Sequence, residues 1–202
     1  MKKISLAIVA LCFSAGSFAA TVGLSSHPFT MNKKVITTEF NSYMSAGSGK
    51  GITAKYFQRV DGKFNVDAGF GVTDGERSNR LFAGADYEIF PDYGRQPRVS
   101  AKTVLETMSF DGDRINTISV APTLSKGFSF WGKEAFPFLA LPLSLGLNTD
   151  EGTYQTATAL SAGITGRIPL DGYENLVGNL ETNVNLRNSY TAIVMGVSMP
   201  LQ

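Results

Sequence analysis

The chain has one cysteine, Cys12, and one histidine, His27, in 202 residues. Its charges nearly cancel: 18 Lys and Arg against 17 Asp and Glu, for a net charge of +1. It has no apolar run of the ~20 residues that a helix needs to cross a bilayer. Each shortage removes a class of protein. Cys12 sits in the apolar run Ile4 to Phe13, after Met1-Lys2-Lys3 and before Ser14-Ala15-Gly16-Ser17-Phe18-Ala19-Ala20. A short basic start, an apolar middle and a small-x-small ending make a secretory signal peptide. Cleavage is expected between Ala19 and Ala20. Leu11 stands where a lipoprotein signal has a small residue, so Cys12 is expected to leave with the leader. A mature chain without thiols has no disulfide, thiol nucleophile or cysteine metal site. Loss of Lys2 and Lys3 turns the net charge of +1 into −1. That leaves no basic excess to suggest nucleic acid.

The scarcity of histidine also limits chemistry. His27 precedes the first strand and reads as a surface residue. No candidate strand carries a histidine to serve as general base. Metal binding would rest on oxygen ligands alone. Asp111-Gly112-Asp113 and Asp150-Glu151 lack the spacing of a calcium loop and read as turns. Gly47-x-Gly49-x-Gly51 lacks the strand-to-helix setting of a phosphate loop. Asp86 and Glu88 share a strand face and read as ion-pair partners for nearby arginines. No catalytic residue, metal or cofactor is expected.

What the chain does have is alternation. From Lys63 to Val72 every even position is apolar and every odd one is charged, polar or glycine. Successive side chains of a strand point to opposite faces, so this is a strand with one wet and one apolar side. The rhythm returns in ten candidate strands: Val35–Met44, Ile52–Val60, Lys63–Val72, Arg80–Phe90, Arg98–Met108, Ile115–Ser125, Phe136–Leu147, Tyr154–Ile168, Leu176–Leu186 and Tyr190–Leu201. Asp61-Gly62 suits a two-residue hairpin turn. Alternation is poor in Ile115–Ser125. The expected organisation is a leader (1–19), a tail or extra strand (20–33) and one all-β domain (34–202). That domain is a closed antiparallel up-and-down transmembrane barrel of about ten strands, with eight and twelve as the other counts.

Alternation alone does not say which face is out. Lys55, Arg59, Lys63, Arg80, Arg98, Lys102, Arg167 and Arg187 share the polar face with Glu39, Asp67, Asp86, Glu88, Glu106 and Glu181. A charge in a narrow lumen needs a partner to offset a desolvation cost of several kcal/mol, and near balance of sign suits that. The apolar face holds Phe64, Val66, Phe70, Leu81, Ile89, Leu139, Leu141, Leu143, Leu145, Leu180 and Val184, which are expected to meet lipid. Aromatics gather near strand ends, as at a membrane interface: Phe90, Tyr93, Phe128, Phe130, Trp131, Phe136, Phe138, Tyr154, Tyr173 and Tyr190. Pro122, Pro137 and Pro142 run against a closed barrel, since proline removes a ladder bond.

From residue 34 to 202 the chain resembles the small outer-membrane β-barrel proteins of Gram-negative bacteria. Its last strand is similar to their assembly signal at Gly196, Met199 and Leu201, with Val194 where a polar residue is usual. The resemblance implies insertion into outer-membrane lipid by the barrel-assembly machinery, as a monomer. The leading expectation is a non-enzymatic outer-membrane barrel with a structural, adhesive or narrow-channel role. The alternatives are a soluble periplasmic lipocalin-like barrel around an apolar ligand and an outer-membrane barrel hydrolase.

Overall fold

The computed structural model describes residues 21–29, 33–45, 48–74, 77–130, 132–173 and 175–201. The expected leader, with Cys12 and its cleavage point, lies outside the described residues, as does Trp131. The strands are β1 (Lys34–Tyr43), β2 (Gly49–Arg59), β3 (Phe64–Thr73), β4 (Arg77–Phe90), β5 (Arg98–Phe110), β6 (Asp113–Ser125), β7 (Phe128–Phe130), β8 (Lys133–Ala140), β9 (Leu143–Asn148), β10 (Thr153–Arg167), β11 (Val177–Arg187) and β12 (Ala192–Pro200). Neighbours pair antiparallel, and β12 returns to β1 from Val35↔Pro200 to Tyr43↔Ala192, closing a barrel. Both β8 and β9 lie between β6 and β10 in one unchanged register. They are two parts of one stave. Twelve segments therefore form ten staves, and β7 only makes a short hairpin with β8.

The prolines account for the split stave. The Leu141 N–H donates to the Pro122 carbonyl at 3.1 Å, and the Ala159 N–H to the Pro142 carbonyl at 3.1 Å. In such a narrow pair each residue normally returns a bond to its partner. Proline has no N–H to return. The two losses fall side by side at Leu141-Pro142, where β8 ends and β9 begins. Pro137 accepts from the Lys126 N–H at 3.2 Å, just past the end of β6. Each proline thus removes a single bond and leaves the register intact.

One rim of the barrel carries the starts of β1 and the end of β12; it is called the terminal rim below, and the opposite one the far rim. The far-rim connections are residues 44–48, 74–76, 111–112, 149–152 and 188–191. The tightest is Asp111-Gly112, with φ of 49° and 90°. The terminal-rim connections 60–63, 91–97 and 168–176, together with the β7 hairpin, are on the whole longer.

The burial pattern of β6 alternates without a break, although its hydrophobic pattern does not. Near the far rim β6 turns Ile115 inward and Arg114 and Asn116 outward, whereas further down Ile118, Val120 and Leu124 face outward. The polarity of the two faces reverses along the strand, and that reversal blurs the sequence rhythm.

Inside, three layers follow one another. Tyr43, Tyr190, Ala159 and Ala192 pack together near the far rim, as do Met108, Ile115, Ala157 and Phe110. Tyr43 and Tyr190 meet edge to face, with centroids 5.0 Å apart. A belt of charged residues crosses the middle. The third layer is built by residues 21–29, which are neither a free tail nor an extra strand. They run through the lumen with a 3₁₀ turn at Gly23–Ser26, and Val22, Leu24, His27 and Phe29 are buried. Phe29 and Leu24 pack with Val35, Phe57 and Val177 near the terminal rim. Val22 reaches the middle of the barrel, against Ala121, Phe138 and Ala140.

The lumen as candidate functional site

Strand alternation turns every second residue of β1 to β5 inward and so collects charges of both signs in one narrow space. Arg98 binds Asp86 at 2.6 Å and Glu88 at 2.7 Å. Lys102 binds Asp67 at 2.9 Å, and Lys55 pairs with Glu39. Arg80 lies 3.9 Å from Glu106, donates to the Thr53 hydroxyl at 2.9 Å and sits over the Phe82 ring. Asp86 and Glu88, the best carboxylate pair for acid–base work, are thus both engaged by one guanidinium.

Glu181 on β11 is held differently. It accepts the Gly23 N–H at 2.8 Å, the Val22 N–H at 3.1 Å, the Ser161 hydroxyl at 2.7 Å and an Asn183 amide N–H at 3.2 Å. Neutral donors surround this buried carboxylate, and two of them are backbone groups of the N-terminal segment. Across the barrel, Lys102 donates to the Thr21 carbonyl at 3.2 Å and Arg98 to the Ser25 carbonyl at 3.1 Å. The segment therefore offers its N–H groups to an anion and its carbonyls to two cations. Gly23 suits its place because a Cβ there would stand 3.1 Å from a Glu181 oxygen and 3.3 Å from the Asn179 amide.

Four charged residues expected on the lumen face lie elsewhere. Arg59 donates to the carbonyls of Asp61 and Gly62 in the β2–β3 turn. Lys63 is exposed in that same turn, Arg167 is exposed at the end of β10 and Arg187 at the end of β11. All four share the inward periodicity or adjoin it. They lie where the lumen opens to solvent, so their charges need no interior partner.

The outward positions between the rims are mostly apolar, with threonines such as Thr38, Thr103 and Thr182 among them. Phe64, Val66, Phe70, Leu81, Ile89, Leu139, Leu141, Leu143, Leu145, Leu180 and Val184 all lie on the outer face, where Leu81 is 61% exposed and Leu139 48%. The aromatics divide. Phe90, Tyr93, Phe128, Tyr154 and Tyr173 are exposed at the rims, whereas Phe138 and Tyr190 are buried inside. Phe136 stacks edge-on against His27 at 5.2 Å. For Phe136 and Phe138 the phase along β8 decides this, and Tyr190 is turned inward from the β11–β12 connection.

Gly196 faces inward against Asn179 and Glu39, leaving no room for a Cβ, so lumen packing already explains that glycine. Met199 faces outward, and the Leu201 N–H donates to the Lys34 carbonyl at 2.8 Å, extending the closing seam.

His27 is buried, not on the surface, between Phe29 and Phe136. Burial, helped by the charge of Arg167, holds its imidazole down at about pKa 4. Sequence reading missed the segment because it has no period, and because its carboxylate partner Glu181 lies 158 residues away from Gly23.

No protein-family model and no curated protein matches this chain. Solved structures to which it is similar include two barrels. A barrel described under "De novo design of transmembrane beta-barrels" covers 87% of this chain and 100% of its own, at 12% identity and a TM-score of 0.43. Ail, the attachment invasion locus protein of Yersinia pestis, covers 84% of this chain and 97% of its own, at 9% identity and a TM-score of 0.26.

Proposed function

We propose that the protein is a monomeric, non-enzymatic barrel of the bacterial outer membrane, closed to solute flow and structural in role. The observation that carries this reading is the distribution of polarity. The outer face is a wall of leucine, valine, isoleucine and phenylalanine, and the interior holds the charges. A soluble protein rarely exposes a contiguous apolar patch of more than a few hundred Å². A lipocalin-like barrel needs the opposite arrangement, with an apolar lumen, so that alternative is set aside. On β4 the outward band from Leu81 to Ile89 rises roughly 26 Å along the strand, or about 20 Å vertically at the usual tilt of ~40°. That approaches the ~25 Å apolar band of such barrels. Closed ladders also leave no unpaired strand edge in lipid.

The lumen argues against a channel. Ten staves lie near the filled end of barrel sizes, and here both the stave side chains and residues 21–29 occupy the interior. The short far-rim turns offer little surface for adhesion. The leader would direct export, and the last stave would be read by the barrel-assembly machinery. Cell fractionation with heat-modifiable migration in detergent gels tests this reading. An outer-membrane protein that shifts on boiling is expected, and release by osmotic shock without detergent would overturn it. Planar bilayers should show no large stable openings.

A further inference from the structure

The N-terminal segment and the lumen wall meet as a ligand meets its site. The wall supplies a carboxylate acceptor at Glu181 for consecutive backbone N–H groups and cationic donors at Lys102 and Arg98 for backbone carbonyls. It supplies an apolar seat for Val22 on Phe138 and another for Leu24 on Phe57 and Val177. Between these seats Gly23 is set against Glu181 and Asn179, where a larger residue would press on both. Backbone donors, backbone acceptors and side-chain seats in register are the elements of peptide recognition. The far half of the lumen is closed independently, by Tyr43, Tyr190, Met108 and Ile115 of the barrel wall itself and its far-rim turn.

We propose that the terminal-rim half of the lumen is a peptide-binding cup, blind at its far end, and that residues 21–29 are its built-in occupant. Its ligand is a peptide with glycine between two aliphatic residues, turned through one 3₁₀ turn that starts at that glycine and entering from the terminal rim. Such a site belongs to the barrel interior and holds whether the outer face meets lipid or water.

The test uses the full chain with Cys12→Ser and Ser25→Cys. Ser25 is buried, and its hydroxyl has no hydrogen-bond partner among the described residues, so the thiol replaces no bond seen there. Adding Gly23→Ala should loosen the segment and raise the rate of thiol labelling at least tenfold. The probe is a synthetic peptide of residues 21–29, Thr-Val-Gly-Leu-Ser-Ser-His-Pro-Phe, with a fluorophore at its C-terminal end. It should bind the Gly23→Ala chain saturably, one to one. Binding should be at least tenfold weaker to the chain that keeps Gly23, whose tethered segment competes at high effective concentration. It should also be at least tenfold weaker for a peptide with alanine in place of the glycine. A loosened chain that ignores the peptide overturns the proposal, and so does a thiol that stays protected in the Gly23→Ala chain. If Gly23→Ala abolishes heat-modifiable migration, Leu24→Ala takes its place with the same expected and overturning results. Peptide binding is read in detergent solution. Its failure is therefore separate from a failure of the membrane assignment, which fractionation reads.

Discussion

The two halves of the lumen are both filled, but by different means. At the far rim the filling belongs to the wall: Tyr43, Met108 and Ile115 project from staves, and Tyr190 from the turn between β11 and β12. At the terminal rim it is a separate stretch of chain, joined to the wall only ahead of β1. The first filling can leave only if the barrel opens. The second can leave while every stave stays paired. The same polar and apolar contacts therefore support the fold at one end and a detachable association at the other.

Substitutions should separate the two. Tyr190→Ala removes a fully buried aromatic from the far half, for a loss of about 3–5 kcal/mol. It should lower the temperature at which the gel shift occurs without changing thiol protection at position 25. A shift in that protection would mean the halves are coupled. Arg98→Ala strands Asp86 and Glu88 without their cation and withdraws a donor from the Ser25 carbonyl. Breaking a buried ion pair from one side costs about 3–5 kcal/mol, so denaturant unfolding should show a weaker barrel, and the segment should loosen with it.

Acid should act on the terminal half through His27. His27 titrates near 4 when seated and near 6.5 when free in water. Between those values the released segment binds a proton that the seated one does not. Seating is thus strongest above pH ~6.5 and weakens by up to about 3 kcal/mol as pH falls toward 4. The groups against His27 are Phe136 of β8, Phe29 of the segment and, by its charge, Arg167 of β10. Because the thiolate is the reactive form and becomes scarcer in acid, labelling at position 25 is read relative to a free thiol at the same pH. That ratio should rise across the range, and His27→Gln should flatten the response. The smallest effect is expected at the terminal-rim loops, where Asp92 binds Lys126 and the Gly127 N–H. Burial alone would raise the Asp92 pKa, but those two partners together hold it below the usual carboxylate value. The site is largely open to water, so Asp92→Ala should cost less than about 1 kcal/mol in the same unfolding measurement.

The staves were legible because a strand that meets two different environments must alternate in polarity. All ten occur within a few residues of the positions that alternation gives. Legibility failed where an environment changed along a strand. Ile115 points into the apolar far layer while Arg114 and Asn116 point out, so β6 reads poorly although its geometry is regular. Arg59, Lys63 and Arg167 failed for a related reason, since phase does not tell where the lumen meets water. The N-terminal segment was not legible at all. Its structure is set by Glu181, Lys102 and Arg98, which lie far along the chain, and nothing local marks it.

The seam between β12 and β1 has a further consequence. Leu201 bonds to Lys34, so the last stave ends beside the first residue of the first. A short linker from Leu201 to Lys34, with new ends cut at the Asp111-Gly112 turn, would give a circular permutant with all ten staves intact and residues 21–29 absent. Such a rearranged chain would present the barrel as an empty receptacle, with its connectivity altered and its walls unchanged.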